Sequence, residues 1–305
     1  MSHNRHHSQD FELDSSTFTR MFITMTMNFI ITIAEVIGGI LSGSLSLISD
    51  ALHNLTDGIA IIISYIALKL RKVKHSPKHT FGLKRAEIFA AVINSTVLFI
   101  ISFFLFYEAI HRFIEPEPIK GRLMVAVASV GLIANITGTL LLRKDSHKSI
   151  NIKSAYLHLL IDALSSVTVI VGGILITFFN IVWIDPILTI LIAIYVLKES
   201  MEILRESSHI LLEGAPPNID LDTVKKDVEL IEDIMDIHHI HIWSIGEKDI
   251  HFEAHINSKD MKISETEKIQ HKVERILEEK YGINHVTLQF ECNICANKNL
   301  LNNSE

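Results

Sequence analysis

The chain has 305 residues, of which 48% are hydrophobic, with a mean hydropathy of +0.32 and a formal net charge of −7 at pH 7. Charged residues are concentrated in a few segments and in the last third, as in a membrane protein with a soluble appendage. The acidic balance predicts no nucleic-acid partner. The sequence contains no GxxxxGK(S/T) phosphate loop, which disfavours ATP hydrolysis by this chain.

The first two thirds of the chain predict a membrane domain over residues 21–210. A polar segment, residues 1–20, precedes it; it contains His3, His6 and His7 and lacks a secretory pattern, so we expect it to be retained. Six apolar runs of about 20 residues follow, each long enough to cross a bilayer as a helix. The runs are Met21 to Leu41, Leu45 to Leu70, Ala86 to Ile110, Leu123 to Leu142, Ala155 to Phe179 and Ile181 to Met201.

Basic residues in the connections predict the orientation of the chain in the cell membrane, because lysine and arginine in short loops favour the cytoplasmic side. They cluster at the end of the second run and beyond it, and again after the fourth run. Both loops are therefore expected in the cytoplasm, and an even number of spans places both termini there. The basic residues are Lys69, Arg71, Lys72, Lys74, Lys78, Lys84, Arg85, Arg143, Lys144, Lys148 and Lys153.

A histidine and an aspartate lie four residues apart in the second run, His53 with Asp57, and again in the fifth, His158 with Asp162. Four residues is about one helical turn, so each pair faces one side of its helix. Two such helices side by side offer two imidazoles and two carboxylates, which suit tetrahedral zinc, with cadmium and cobalt close behind. An aspartate at the bilayer centre costs about 2.5 kcal/mol or more, so the pairs predict a metal site rather than two structural hydrogen bonds.

Two further carboxylates lie in the apolar runs. Asp50 shares the helix face of His53 and Asp57, about one turn nearer the outer surface. It either lines the exit path or caps the helix. Glu35, in the first run, has no partner at metal spacing and is a candidate for a proton path.

After Leu211 the pattern changes to that of a small α+β domain, predicted over residues 211–305. Gly214, Pro216 and Pro217 end the last long helix. A second, amphipathic helix of this domain is expected to begin at Ser264 as N-cap, with Glu267 completing a capping box. The predicted order is a helix from about Leu221, strands at Ile237 to Trp243 and Ile250 to Ile256, the amphipathic helix, and a strand at Val286 to Phe290.

Counting from His209 at its border, the tail holds eight of the seventeen histidines. Alternation along the first strand predicts that His239 and His241 share one face and that His238 lies on the other, so that not all of them reach one metal. For His251 and His271 we expect a solvated surface.

Both cysteines of the chain, Cys292 and Cys295, also lie in the tail. In the cytoplasm a structural disulfide is not expected, and a metal or thiol role is favoured. An unused CxxC on the surface is the alternative.

Four segments, together with the six runs and the order of elements in the tail, follow a known pattern. They are Ser49 to Asp57 (SDALHNLTD), Thr80 to Glu87 (TFGLKRAE), Leu157 to Ala163 (LHLLIDA) and His238 to Trp243 (HHIHIW). On these segments, and over nearly its whole length, the chain resembles the cation diffusion facilitators, specifically their zinc-transporting branch.

The resemblance implies a homodimer that exports zinc from the cytoplasm in exchange for protons. It implies six transmembrane helices and a metallochaperone-like, ferredoxin-like tail that binds further metal, and it makes His53, Asp57, His158 and Asp162 the transport site. This chain has Lys84 where some relatives carry histidine. The tail and interface ligands that the resemblance implies are His238, His255 and Glu291, a CxxC of some members at Cys292 and Cys295, and a candidate pair of His79 and His285 where the two domains meet.

Charge predicts how such export is driven. Moving a divalent cation out of a negative interior costs about 4.6 kcal/mol per 100 mV, so an energy source is needed. Histidine, with an ordinary pKa of about 6.5, exchanges metal for protons near physiological pH. We therefore expect alternating access, in which His53 and His158 bind metal when neutral on the cytoplasmic side and release it when protonated outside.

Two other functions fit parts of the pattern. An intramembrane metal-dependent hydrolase would need an open position for water on its zinc, and four protein ligands leave none. We therefore do not expect an enzyme. A membrane-bound metal sensor that signals through its tail differs from a transporter in whether metal crosses the bilayer.

Overall fold

The computed structural model describes residues 15–71, 73, 76–143, 150–246, 249–292 and 300. Six long helices come first: α1 (Ser15–Ser42), α2 (Leu45–Arg71), α3 (Ala86–Ile114), α4 (Gly121–Arg143), α5 (Ile150–Phe179) and α6 (Ile184–Leu211). The tail follows: α7 (Leu221–Glu229), β1 (Ile234–Ser244), β2 (Ile250–Ser258), α8 (Ile263–Tyr281) and β3 (His285–Glu291). The residues of interest that lie outside the described ranges are His3, His6, His7, Lys72, Lys74, Lys144, Lys148 and Cys295.

The described residues form two compact units, one within residues 1–62 and 94–201 and the other within residues 63–93 and 202–305. A helix occupies each predicted apolar run. Three stretches, Ala86–Ile114, Gly121–Arg143 and Tyr156–Phe179, are apolar and long enough to cross a membrane. Within the described residues α1 contributes a shorter apolar stretch, Thr26–Ser42. The helical membrane-type domain is therefore confirmed on three strongly apolar helices, and six spans stay a prediction.

The outward faces of these helices are apolar. Phe104 on α3, Leu164 on α5 and Phe178 near the end of α5 are 62%, 63% and 77% exposed. Contiguous apolar surface of this kind is unusual on a soluble monomer but needs no cover in lipid. The inward faces of α2, α4 and α5 meet in a small buried core formed by Leu47, Met124, Ala128, Val169 and Ile176.

The second unit contains a three-stranded sheet in the order β1-β2-β3. β1 and β2 are antiparallel, and β2 and β3 are parallel, joined through α8. Apolar faces of α7, α8 and the sheet share one core, in which Val224, Ile237, Phe252, Val273 and Leu277 are buried. The predicted order of helix, strand, strand, helix and strand is thus confirmed.

The start of α8 differs from the prediction. The helix begins at Ile263, with Lys262 as its N-cap, and the Glu265 carboxylate accepts a hydrogen bond from the Lys262 backbone N–H at 2.9 Å. Ser264 and Glu267 therefore lie inside the helix, and the predicted capping box was displaced by two residues. Glu265 closes the box because its carboxylate reaches back from the third helical position.

Candidate metal sites

The two predicted His/Asp pairs face each other across α2 and α5. Asp57 Oδ2 lies 3.7 Å from His53 Nε2 on its own helix and 3.4 Å from His158 Nε2 on the other. His158 Nε2 lies 3.5 Å from Asp162 Oδ2. The centres of the two imidazole rings are 6.2 Å apart. One turn of helix on each side therefore brings all four predicted residues together.

Exposure is uneven across these four side chains. The Asp162 side chain is 3% exposed, whereas that of His158 is 37% exposed. Among the described residues, Asp162 Oδ2 and His53 Nδ1 are buried without a hydrogen-bond partner. A buried carboxylate oxygen without a donor is costly unless something else supplies the compensating charge. A divalent cation between the two helices would supply it.

Asp50 and Glu35 occupy buried positions near this site. Asp50 accepts a hydrogen bond from Ser165 Oγ of α5 at 2.6 Å. Since α2 begins at Leu45, Asp50 lies inside the helix, and the capping alternative was wrong. Glu35 is buried beside Gly131 of α4, where a Cβ atom would collide with the Glu35 carboxylate. The absence of a side chain at Gly131 makes space for that carboxylate.

Sequence reasoning missed Asp185, a fully buried residue in the first turn of α6. Its carboxylate accepts hydrogen bonds from the Ser44 hydroxyl at 2.6 Å and from the Leu45 backbone N–H at 2.7 Å. It also accepts from the Ser46 hydroxyl at 2.5 Å and the Ser46 backbone N–H at 3.2 Å. Asp185 therefore caps α2, the helix that carries His53, from another helix. The partners are about 140 residues away in sequence, so no local pattern indicates this contact.

The tail contains a second cluster, which the sequence placed incorrectly. His238 and His239 were expected on opposite faces of β1, but suitable ligand atoms of His238, His239 and His255 all lie within 4.8 Å of one another. Pairing explains the change: His238 pairs with His255 and His241 pairs with Glu253, so two residues of β1 oppose one of β2. This β-bulge turns His239 toward its neighbours.

Glu291, at the end of β3, joins this cluster. Its Oε1 lies 2.5 Å from His255 Nδ1 and 3.4 Å from His238 Nε2. The structure thus brings together His238, His255 and Glu291, as predicted, and adds His239. Cys292, the next residue, is exposed and not in a disulfide.

A third group of histidines lies where the segment before α3 meets the sheet. His251 is buried, not solvated as predicted, because Trp243 stacks on it at 5.5 Å and Phe81 packs edge-on at 5.2 Å. The His285 ring lies 4.3 Å from that of His251 and 6.5 Å from Phe81. Burial, with His285 and Lys84 nearby, lowers the pKa of His251 to about 4.

Lys84 takes part in the same contact through charge. Its Nζ lies 2.8 Å from Asp249 Oδ1, between the segment before α3 and the sheet. His79, the predicted partner of His285, has an exposed side chain, and its backbone pairs with Ser76. His271, predicted to be solvated, is exposed on α8. In the segment before α3, the ring of Phe81 faces His285. A site of His79 with His285 stays a prediction.

Two family descriptions match the chain. Residues 21–212 match "Cation efflux transmembrane domain", and residues 216–292 match "Cation efflux protein, cytoplasmic domain".

Individual proteins are similar over almost the same length. The zinc transporter ZitB of Pectobacterium atrosepticum is 38% identical over 297 residues, which cover 97% of this chain and 90% of the relative. The cadmium, cobalt and zinc/H(+)-K(+) antiporter of Bacillus subtilis is 42% identical over 273 residues, covering 88% and 86%. The metal cation efflux system protein CzcD of Cupriavidus metallidurans is 35% identical over 289 residues, covering 95% and 90%.

Proposed function

Because the chain belongs to the cation efflux family, we propose that it is a secondary transporter that exports zinc, and cadmium or cobalt, from the cytoplasm in exchange for protons. The names of its relatives support this substrate class and the exchange for protons. Membership of a transporter family also agrees with the prediction that the chain is not an enzyme. The hydrolase and sensor alternatives do not fit membership of this family.

The observation that carries the proposal is the convergence of two imidazoles and two carboxylates between α2 and α5. Asp57 Oδ2 lies 3.7 Å from His53 Nε2 and 3.4 Å from His158 Nε2. These distances are close to the spacing between the ligands of a tetrahedral zinc. We propose His53, Asp57, His158 and Asp162 as the transport site.

Charge balance suggests how the exchange proceeds. One Zn²⁺ with two neutral imidazoles and two carboxylates gives a site with no net charge. Two protonated imidazoles with the same carboxylates also give none. Inward protons can therefore replace outward zinc without leaving a buried net charge in either loaded state, which would be costly in the membrane. On this basis two protons return for each zinc, and each pH unit of gradient supplies about 1.4 kcal/mol per proton.

The arrangement in the membrane is part of the proposal. We propose six spans with both termini in the cytoplasm of the cell, and a homodimer that forms through the tail. The match of residues 216–292 to the cytoplasmic domain of cation efflux proteins supports the side on which the tail lies and its role in dimerisation. Metal binding by the tail completes the proposal, with His238, His255, Glu291, Cys292 and Cys295 as the proposed ligands.

Zinc flux into proteoliposomes with an imposed pH gradient tests the transport site. We expect the intact protein to move zinc against protons, and we expect Asp162→Ala to reduce that flux to the level of protein-free liposomes. The chain offers a matched control in His111 and Glu115, a His/carboxylate pair with the same four-residue spacing, 3.9 Å apart and exposed. His111→Ala should leave the flux unchanged.

Two results would contradict the proposal. Equal flux with and without the pH gradient would exclude proton exchange. Flux in Asp162→Ala equal to that of His111→Ala would place the transport site elsewhere.

A further inference from the structure

We propose that His239 completes a four-ligand zinc site in the tail, with His238, His255 and Glu291, and that the β-bulge at His239 is what builds it. The choice of zinc as the metal rests on the proposed function. The ligand set rests on the geometry of the sheet alone.

The backbone at His239 is the first observation. Two residues of β1, His239 and Ile240, oppose the single residue Ala254 of β2, and His239 has a φ of +49°. A bulge with a left-handed first residue normally has glycine there, because a side chain is strained in this conformation. A histidine in place of the preferred glycine points to a role for its side chain.

The arrangement of donor atoms is the second observation. Glu291 Oε1 lies 2.5 Å from His255 Nδ1 and 3.4 Å from His238 Nε2. The centre of the His239 ring lies 5.0 Å from that of His238 and 4.9 Å from that of His255. Ligands of a tetrahedral zinc are roughly 3.4 Å apart, given bonds of about 2.0–2.1 Å. Ligand atoms of the three imidazoles lie within 4.8 Å of one another, a set that does not include Glu291. The Glu291 side chain, already next to His238 and His255, therefore has to turn toward His239 for all four donors to reach one ion.

The orientation of His238 is the third observation. Its Nδ1 lies 2.7 Å from Asp236 Oδ1, and Asp236 Oδ2 accepts a hydrogen bond from Asn257 Nδ2 at 2.8 Å. A carboxylate that accepts from one ring nitrogen leaves the lone pair of the other available for metal. That other atom, Nε2, belongs to a side chain 1% exposed and has no hydrogen-bond partner within the described part of the chain. It points toward Glu291.

Three imidazoles and one carboxylate from a single chain fill the coordination sphere of zinc. A closed sphere of this kind is typical of a structural zinc, which leaves no position for water or for rapid exchange. Its ligands come from all three strands, so a bound ion would link β1, β2 and β3. Metal ligands bind in their deprotonated form, so zinc binding here would depend on pH.

The test uses the full-length protein in detergent with His158→Ala and Asp162→Ala, which remove the proposed transport site. Zinc affinity is measured by competition with a chelating dye, and Co²⁺ serves as a spectroscopic probe because tetrahedral Co²⁺ absorbs visible light strongly. His239→Gly is the decisive variant, since glycine suits the bulge and removes only the side chain. We expect its metal-free melting temperature to be equal or higher, its zinc affinity to be at least about tenfold weaker, and the tetrahedral Co²⁺ band to be lost or shifted.

His241→Ala is the matched control, an exposed histidine two residues along the same strand. It should retain both the affinity and the spectrum. Undiminished affinity and an unchanged spectrum in His239→Gly would overturn the inference. Zinc flux is measured separately, on the protein that retains the membrane site, so failure here and failure of the proposed function are distinguishable.

Discussion

At the level of single residues, one carboxylate holds the two helices of the tail together. Asp227 Oδ2 of α7 accepts hydrogen bonds from Lys280 Nζ and from the Tyr281 hydroxyl of α8, both at 2.8 Å. These contacts lower the pKa of Asp227. Burial, with the hydrogen bond to Asp227 next, raises the pKa of Tyr281 to about 12. The Tyr281 hydroxyl can donate the hydrogen bond to Asp227 only while it is protonated.

The raised pKa of Tyr281 predicts a loss of stability at high pH. Between about pH 10, where an unfolded tyrosine ionises, and about pH 12, the unfolded chain binds fewer protons than the folded one. Stability from this group is therefore complete below pH 10 and falls as the pH rises through this window. Ultraviolet absorbance of tyrosinate in the full-length protein should show a late ionisation step near pH 12 that Tyr281→Phe removes.

Tyr107→Phe is the control for this titration, because it removes an exposed phenol from α3. The late step should persist in that variant. The prediction would be contradicted if the wild-type protein showed no late step, or if the Tyr281→Phe variant still showed it. Either result would mean that the hydrogen bond to Asp227 does not raise the pKa of Tyr281.

At the level of elements, the start of α2 depends on a residue of α6. The first backbone N–H groups of a helix have no hydrogen-bond acceptor within the helix. The Asp185 carboxylate is the acceptor for the N–H groups of Leu45 and Ser46. A negative charge at a helix N-terminus is favoured by the helix dipole as well. Since α2 carries His53 and Asp57, a fixed start of α2 also fixes the level at which these side chains meet His158 and Asp162 of α5.

Asp185→Asn should destabilise the membrane unit by about 1–3 kcal/mol, because an amide turns an N–H₂ group toward backbone and hydroxyl donors in a buried place. Thermal unfolding in detergent measures the change. Asp220→Asn is the matched control, since Asp220 is an N-cap of α7 that accepts from the Thr223 backbone N–H at 3.1 Å but is exposed. Its replacement should change the melting temperature much less. Equal shifts in the two variants would argue against a special role for Asp185.

The helices, the strands and the shared helix face within each His/Asp pair were predictable, because they depend on local periodicity. His53 with Asp57 and His158 with Asp162 share a helix face whatever surrounds them. The position of His239 was not predictable, because it depends on the pairing of β1 with β2. The burial of His251 was missed for a similar reason: its cover, Phe81, comes from a segment 170 residues earlier. Contacts between distant segments leave no periodic signal.

At the level of the whole molecule, the number of spans decides on which side the tail lies. If all six long helices cross the bilayer, the connection between α3 and α4 and the tail after α6 lie on opposite sides. If only the three strongly apolar stretches, in α3, α4 and α5, cross it, those two segments lie on the same side. Polar side chains reduce the apolar character of α2, which carries Asp50 and Asp57. Asp57, a proposed transport residue, thus weakens the signal for a membrane span in the helix that holds it.

Cysteine labelling distinguishes these two topologies. Cys292 is exposed, and Cys295→Ser leaves it as the single cysteine of the chain. A membrane-impermeant maleimide should then label Cys292 in inside-out vesicles but not in intact cells. In a second variant, Cys292→Ser with Cys295→Ser and Glu115→Cys, the probe lies in the connection between α3 and α4, where Glu115 is 76% exposed. We expect this cysteine to react in intact cells. Labelling of both positions from the same side would contradict six spans. With six spans, α4, α5 and α6 cross the membrane between the two positions, and three crossings place them on opposite sides.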